Sequence, residues 1–561
     1  MARKYIHYGY IPRASQVTKM TTVFKNARVY SAESKPGDDD FDSCMVIETG
    51  RIVHVGSLED AIMPSDATII DLHHRIVMPG FIDAHAHILQ YGLSLRKVDL
   101  TSCTSLGQIR GAIKSYAETH LSVPRILCRG WNQSAVDGEP LASMIDDLDP
   151  RPIYIEAADL HSIWCNSAAL DEMHAHTTPD RPGGTIHRDQ TGRAIGLLSE
   201  GAVMDFAWPF LDRATPKEEK LHALQAAIKS YSAAGYTGAV DMAMSEDHWE
   251  ILNLYRSHHK IPFHIAAHWL VPFSDNQQVN FSYVDRAIEL RRQFNDPTLT
   301  IAGIKLICDG VVEGCTAALR QPYGGNLDPV QPIWPEDLMS AVIQRADESG
   351  LQVAIHAIGD QAVHQSINIL SSLVKTQPSN LQEEIQRDRR HRIEHLELTS
   401  PADAARLGQL GITASIQPVH SDPAHFTAWP SLLGPHRCKR AFAYKDFLTG
   451  GAVIALGTDA PTASHYPFEN LYHATTRRSV ADRESSESLN PEFGLTMLQA
   501  VAGATEGAAY SRFADGWTGS LKVGLSADFV VVDMFWEEET LLEARVCQTW
   551  YRGEKVFDCE A

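Results

Sequence analysis

The sequence lacks a long apolar run. A stretch of about 18 apolar residues, the shortest that indicates a membrane-spanning helix, does not occur among its 561 residues. The first residues, MARKYIHYGYIPRASQ, are basic and aromatic but contain neither an apolar core nor a small-residue cleavage site, so we expect no secretory signal. We interpret residues 1–20 as an N-terminal extension.

Positive charge and closely spaced cysteines are also scarce. The chain has 49 lysine and arginine residues against 70 aspartate and glutamate residues, a formal net charge of −21. This balance argues against a nucleic-acid partner, because the phosphate backbone selects basic surfaces. The nine cysteines include no C-x-x-C motif, and an odd number without a secretory signal favours reduced thiols and a cytoplasmic location.

Both ends of the chain have the pattern of short β strands. Residues 21–80 are rich in β-branched residues, alternate in polarity and are interrupted by glycine, serine and aspartate turns. The segments GSLKVGLSADFVVVDM and CQTWYRGEKVFD near the C-terminus resemble them. We therefore predict a small β-sandwich domain built from residues 21–80 together with 515–561.

The middle of the chain, residues 81–514, alternates apolar strands with amphipathic helices, which is typical of a parallel α/β fold. Helical patterns at 216–235 and 335–350 both end in glycine, a common helix stop. Eight strands are predicted, which fits a (β/α)8 TIM-type barrel. They lie at 81–87, 237–242, 263–269, 301–307, 352–356, 391–395, 413–418 and 453–459.

Two further strand-like runs, 125–131 and 152–157, do not fit the count of eight. They fall in the long stretch between the first and second barrel strands. We predict an inserted subdomain at about residues 100–235, after barrel strand one, whose first part covers the barrel mouth.

The first barrel strand ends in the motif His85-x-His87. A strand turns side chains two residues apart to the same face, so the two imidazoles point the same way and are able to bind one divalent cation. The pair alone could equally be two buried structural histidines. Barrel enzymes place catalytic groups at the C-terminal strand ends, and four further metal-competent side chains end other strands: Lys305, His356, His395 and Asp459.

This order of ligands along the strands resembles the amidohydrolase superfamily of metal-dependent hydrolases. Local sequence is similar to its YtcJ-like branch, amidohydrolase family 3, over residues 21–560. The resemblance implies a (β/α)8 barrel with a β-sandwich from both termini. The segments that carry it are WCNSAAL (164–170), RPGGTIHRDQTGRAIGLLSEGA (181–202), IKLICDGVVEGCTAALRQPY (304–323), IHAIGDQAV (355–363), HRIEHLE (391–397) and LGTDAPT (456–462).

The resemblance also implies a ligand set. His85, His87 and Asp459 would surround one metal, His356 and His395 would hold a second, and Lys305 would bridge the two as an N6-carboxylated lysine. A lysine that is partly desolvated near cations spends more time as the neutral amine, which reacts with carbon dioxide. We expect two zinc ions, with iron, manganese, cobalt or nickel as alternatives. A single metal is also open.

The implied function is hydrolysis of a non-peptide C–N bond in a small-molecule amide or N-substituted formamide by a metal-bound hydroxide. Asp459 would be the catalytic residue that accepts the proton and passes it to the leaving nitrogen. The alternatives are hydrolysis of a cyclic amide, ester or carbamate, ring deamination, decarboxylation or isomerisation, and a non-catalytic scaffold that kept the fold. Lys305 argues against a deaminase, and the full ligand set argues against a scaffold. The oligomeric state stays open, with a homodimer as the alternative that family analogy favours.

Seven further residues are candidates for substrate contacts: Trp131, Asn132, His161, Asn166, Asp309, Gln417 and His420. The first four lie in segments similar to the family, although His161 and Asn166 could instead cap or pack a helix. Asp309 could instead orient strand four, and the last two lie at the end of strand seven. Because Glu394 precedes His395 on its strand, we predict that it points away from the bore and forms an ion pair outside the barrel.

Overall fold

The computed structural model describes residues 21–30, 41–158, 160, 162–180, 184–324, 328–375 and 389–560. Its strands form three separate sheets. The strands are β1 (Thr21–Val29), β2 (Asp42–Glu48), β3 (Arg51–Gly56), β4 (Thr68–Asp71), β5 (Ile76–Pro79), β6 (Phe81–Ala86), β7 (Val98–Asp99), β8 (Ile126–Trp131), β9 (Ile153–Ala157), β10 (Ser162–Cys165), β11 (Gly184–Arg188), β12 (Ala194–Glu200), β13 (Tyr236–Met244), β14 (His264–Leu270), β15 (Asn295–Asp296), β16 (Leu299–Ile307), β17 (Gln352–Ala357), β18 (Arg392–His395), β19 (Thr413–Ile416), β20 (Ile454–Leu456), β21 (Phe529–Asp533), β22 (Arg545–Tyr551) and β23 (Glu554–Asp558).

The first sheet joins the two ends of the chain. Its order is β23-β22-β21-β5-β1-β2-β3, with β4 paired to β1. The joint is the antiparallel pair of β5 and β21. On this sheet Phe24 packs edge-on against Phe529 and Trp550, with ring centroids 5.1 Å apart in both pairs. The N-terminal and C-terminal strands therefore share one sheet and one apolar cluster, as the sequence predicts.

The second sheet is the predicted eight-stranded parallel barrel. Its strand order is β20-β19-β18-β17-β16-β14-β13-β6, and β15 adds a short antiparallel pair to β16. The ends of the sheet meet beyond β20, where the backbone N–H groups of Thr458 and Asp459 donate to the carbonyl oxygen of His85 at 3.2 and 2.7 Å. The N–H of His87 donates to the carbonyl of Ala460 at 3.0 Å. The barrel is thus nearly closed, and its seam lies at the ends of its first and last strands.

The third sheet, of order β11-β12-β10-β9-β8-β7, lies in the chain between the first barrel strand, β6, and the second, β13. Both strand-like runs that did not fit the barrel belong to it, as β8 and β9. The insertion after barrel strand one is therefore correct, and the boundaries of the predicted domains stay predictions.

Both predicted helices are present, as Lys217–Ala233 and Glu336–Glu348, and each is followed by a glycine with positive φ, Gly235 or Gly350. No helix in the described part of the chain is long and apolar enough to cross a membrane. The other α-helices are Ile88–Ser94, Leu106–Thr119, Ser167–Glu172, Trp208–Ala214, Glu246–His258, Gln277–Gln293, Asp360–Lys375, Pro401–Gln409, Trp429–Leu433, Pro435–Cys438, Tyr444–Thr449, Pro467–Thr476, Met497–Ala502 and Ala508–Ser511.

The barrel seam yields a prediction about stability. A Cβ atom on Gly457 would lie 2.4 Å from the backbone nitrogen of His85 and 2.5 Å from its Cβ, closer than real Cβ atoms approach. Since backbone has to move to make room, we expect Gly457→Ala to lower the free energy of unfolding by about 1–3 kcal/mol. Thermal denaturation followed by circular dichroism measures the effect as a lower melting temperature.

The matched control is Gly111→Ala, in the exposed part of helix Leu106–Thr119, where an added Cβ meets no atom within 4 Å. Alanine favours a helix over glycine by about 1 kcal/mol, so this variant should melt at or above the parent temperature. A Gly457→Ala protein as stable as the parent would show that Gly457 and His85 can move apart without loss of stability.

Candidate metal centre

The predicted ligands lie at the C-terminal ends of barrel strands. His85 is in β6 and His87 follows it, while Lys305 and His356 lie near the ends of β16 and β17. His395 is the last residue of β18. Asp459 follows β20 at the seam, with a φ of +58°. Parallel strands of a barrel all end at one face, so the fold itself brings these side chains together.

The first group of ligands converges on one carboxylate oxygen. Asp459 Oδ1 lies 3.3 Å from His85 Nε2 and 3.0 Å from His87 Nε2. These three residues offer ligand atoms within 4.8 Å of one another. Although the distances are short, Oδ1 has no hydrogen bond of acceptable geometry within the described residues. Two imidazoles and one carboxylate aimed at a common point are suited to a divalent cation.

The second group adjoins the first. The ring centroids of His356 and His395 are 4.3 Å apart, and those of His85 and His395 are 5.0 Å apart. The Lys305 side chain is buried, and its Nζ has no hydrogen-bond partner in the described structure. The charge of Lys305 lowers the pKa of His85 and of His356, and the charge of Asp459 raises the pKa of Lys305. Lys305 therefore lies close to both groups. The structure thus places all six predicted ligands in one cluster.

Burial favours the neutral forms of His85, His356 and Lys305. It lowers the pKa of His85 to about 4 and that of His356 to about 3, and the nearby Lys305 ammonium adds to both shifts. Burial also lowers the pKa of Lys305 to about 8, against the opposing charges of Glu394 and Asp459. Neutral imidazoles can coordinate a metal without first losing a proton.

Contacts behind the first histidine pair fix the orientation of both rings. His85 Nδ1 lies 2.6 Å from Glu394 Oε2, and His87 Nδ1 lies 2.8 Å from the carbonyl oxygen of Met242. Because an oxygen acceptor requires the proton on Nδ1, each ring presents Nε2 to the centre.

The prediction that Glu394 forms an ion pair outside the barrel is wrong. It pairs with Arg392 inside the bore, where both side chains are completely buried. Residues 392 and 394 are in register with Ala354 and His356 of β17, so they share the inward face. His395 has a φ of +74°, so the strand ends there and simple alternation no longer decides where its side chain points. The sequence signal for this pair was the spacing Arg392-x-Glu394, which puts both side chains on one face of the strand.

His420 and Glu397 lie next to the predicted ligands, on the side of strand seven. His420, a predicted substrate contact, has Nε2 at 3.8 Å from Asp459 Oδ2 and Nδ1 at 3.5 Å from Glu397 Oε1. Its ring is parallel to that of His395, with centroids 5.9 Å apart. Sequence reasoning missed Glu397, although it follows His395 by two residues.

Gln417 and Asp309 differ in how their polar atoms are used. Gln417 follows β19, is almost completely buried and has no hydrogen-bond partner for either side-chain polar atom in the described residues. Asp309 accepts hydrogen bonds from the backbone N–H groups of Ala318, Ile358 and Gly359 at 2.8–3.0 Å. These contacts give Asp309 a structural role in holding the loops after strands four and five. Gln417 stays a predicted substrate contact.

Three of the remaining predicted contacts, Trp131, Asn132 and Asn166, lie in or next to strands of the third sheet. Trp131 is buried in its apolar core beside Trp164, with ring centroids 5.5 Å apart. Asn166 caps helix Ser167–Glu172 by accepting from the N–H of Ala169, so the capping alternative describes its contacts. Asn132 is exposed at the end of β8. His161 lies outside the described residues, and substrate contact by these four residues stays a prediction.

The donor set fits a bound metal. Lys305 Nζ, Asp459 Oδ1 and His395 Nδ1 are buried polar atoms without a hydrogen-bond partner in the described chain. Leaving such an atom unpaired costs about 1–3 kcal/mol, and a cation with a carboxylated lysine would satisfy atoms of this kind. A second group of possible ligands consists of Asp212, Asp247 and His248. Its two carboxylates lie 2.8 and 2.5 Å from the Lys220 ammonium, so this lysine already supplies the positive charge there.

Known proteins match this chain over most of its length. A sequence model described as an amidohydrolase family matches residues 68–557. Protein LONG AFTER FAR-RED 3 of Arabidopsis thaliana is 31% identical over 542 residues, which cover 92% of this chain and 88% of that protein. Putative amidohydrolase YtcJ of Bacillus subtilis is 29% identical over 512 residues, 88% of this chain and 91% of its own.

A third relative, the N-substituted formamide deformylase of Arthrobacter pascens, is 25% identical over 520 residues, 87% of this chain and 89% of its own. The crystal structure of an uncharacterised metal-dependent hydrolase from Pyrococcus horikoshii superposes with a TM-score of 0.74 at 22% identity, covering 92% of this chain and 99% of that one. That likeness shows the fold. Because the family model spans most of the sequence, the chain belongs to the amidohydrolase family.

Proposed function

We propose that this protein hydrolyses the C–N bond of a small-molecule amide with the help of two divalent metals, and that N-substituted formamides are its substrate class. The observation that carries the proposal is the convergence of His85, His87 and Asp459 on one point, next to the buried, unpaired Lys305. Family membership supports hydrolysis of a non-peptide C–N bond. The deformylase relative supports the formamide class.

The proposed ligands form two metal positions. His85, His87 and Asp459 would hold one metal, and His356 with His395 would hold the other. Zinc is the first choice for a site rich in imidazole. When bound, the metals supply an acidified water and polarise the substrate carbonyl.

Lys305 would link the two positions as a carbamate. In this reaction the neutral amine nitrogen attacks the carbon of carbon dioxide, a C–N bond forms, and one proton leaves to solvent. The product is an anion with two oxygens, one for each metal position. Burial favours the neutral amine that this step needs, since it lowers the pKa of Lys305.

Asp459 would move the proton, and its contacts support this role. Its Oδ1 faces His85 and His87, while its Oδ2 lies toward His420, so one oxygen is available for a proton while the other binds. A carboxylate that takes a proton from the attacking water and donates it to the departing nitrogen lets the amine leave in neutral form.

A substrate screen tests the proposed class. Protein loaded with zinc is incubated with matched N-formyl, N-acetyl and longer N-acyl derivatives of the same amines, and the released amine and carboxylate are both quantified. We expect equal amounts of amine and formate, with N-formyl compounds turned over fastest. Hydrolysis confined to esters or cyclic amides would contradict the proposal.

Lys305→Ala tests the bridge between the metals. The parent should contain close to two equivalents of transition metal per chain, and the variant should lose at least one of them and most of its activity. Metal content by mass spectrometry and turnover of the best amide measure both effects. The control Lys260→Ala removes an exposed lysine that pairs with Glu554 and should change neither. Full metal content and full activity in Lys305→Ala would contradict the carbamate bridge.

Asp459→Asn separates proton transfer from metal binding. Asparagine keeps an oxygen ligand but is a poor proton acceptor, so kcat should fall by about 10²–10⁴-fold while much of the metal stays bound. The exposed aspartate in Asp337→Asn is the matched control and should leave kcat unchanged. Parent-level kcat in Asp459→Asn would exclude its proton-transfer role.

A further inference from the structure

The barrel bore contains an ion pair that is completely hidden from solvent. Arg392 Nε lies 2.6 Å from Glu394 Oε1, and both side chains have zero exposure. The other guanidinium nitrogens donate to Ser511 Oγ at 3.1 Å and, at 2.6 Å each, to Ser415 Oγ and the carbonyl of Ala84. Arg392 is therefore fixed by three other segments of the chain, and it fixes Glu394 in turn.

Stability alone does not account for this arrangement. A buried ion pair is often no more stabilising than apolar residues of the same volume, because both ions lose their hydration. The second oxygen of Glu394 accepts a hydrogen bond from His85 Nδ1 at 2.6 Å. A carboxylate held by a guanidinium thus lies directly behind one proposed metal ligand.

Neither histidine of the second position has a carboxylate at hydrogen-bond distance among the described residues. His356 Nε2 lies 3.3 Å from the carbonyl of Gly310, and the nearest carboxylate, that of Asp309, is 3.7 Å away and already accepts three backbone hydrogen bonds. Glu397 offers a carboxylate oxygen within 4.8 Å of a His395 ring nitrogen, but no hydrogen bond joins the two in the described chain. The two positions therefore differ in the groups behind their ligands.

We propose that Glu394, held by Arg392, is a positioning residue that makes the position of His85, His87 and Asp459 the tighter of the two, so that it fills first. This inference rests on the proposed function. A carboxylate behind a metal-binding imidazole fixes the tautomer, orients the ring and raises its basicity, and its loss typically costs 10–100-fold in metal affinity. Glu394 acts through His85 and touches neither substrate nor metal.

The test measures zinc affinity instead of turnover. Zinc-loaded parent and Glu394→Gln proteins are equilibrated against a graded series of zinc-buffering chelators, and the zinc that stays bound is quantified by mass spectrometry. The parent should show two separate affinities. The variant should bind its tight zinc about 10–100-fold more weakly, with the weaker affinity unchanged.

Two further variants keep the result interpretable. Glu394→Gln leaves the Arg392 charge buried without a counter-ion, so a double variant with Arg392→Met removes both charges and should show the same selective loss. Glu156→Gln removes another buried carboxylate, which pairs with Lys97 on the third sheet, and should leave both zinc affinities unchanged. Circular dichroism checks that each protein is folded.

The outcomes separate this inference from the function on which it rests. If the parent and the folded variants bind two zinc ions with the same affinities, or if both affinities fall equally, the role of Glu394 is refuted while the metal-dependent function stands. A parent protein that binds no zinc and no other divalent transition metal would overturn both.

Discussion

The site depends on the two backbone hydrogen bonds that join the segment after the last barrel strand to the carbonyl oxygen of His85. They set Asp459 opposite His85 and His87, which come from the other end of the sheet. Without this seam the carboxylate and the imidazoles would belong to separate edges. The absence of a Cβ at Gly457 lets the two strands approach this closely. The contacts that close the barrel therefore also bring together the three side chains proposed to hold the first metal.

Titratable side chains are concentrated inside the bore. Six metal-competent groups meet in a space from which water is largely excluded, and each charged form loses hydration there. Burial lowers the pKa of His85, His356 and His395 and favours their neutral forms, whereas Asp459 raises the pKa of His87 against burial. Glu394 stays ionised against burial because Arg392 lies beside it. The unpaired atoms of Lys305 and Asp459 carry the cost that a cation would offset.

The sequence predicted what periodicity and strand position determine, and it failed where the backbone departs from them. All eight barrel strands and the clustering of six ligands follow from apolar runs ending in polar groups. Glu394 was misplaced because alternation was extended through His395, whose positive φ breaks it. The capping contacts of Asn166 and the loop contacts of Asp309 depend on which backbone N–H groups lie nearby in space, and no local pattern encodes that. Glu397 and Arg392 were missed for the same reason.

The shared sheet of the two termini has a consequence for biosynthesis. β5 ends at Pro79, and its antiparallel partner β21 begins at Phe529, about 450 residues later. At a synthesis rate of about 5–20 residues per second, β5 waits tens of seconds on the ribosome before its partner exists. During that interval one edge of the strand is unpaired and open to incorrect pairing. The last strands to be made thus complete the first sheet to be started.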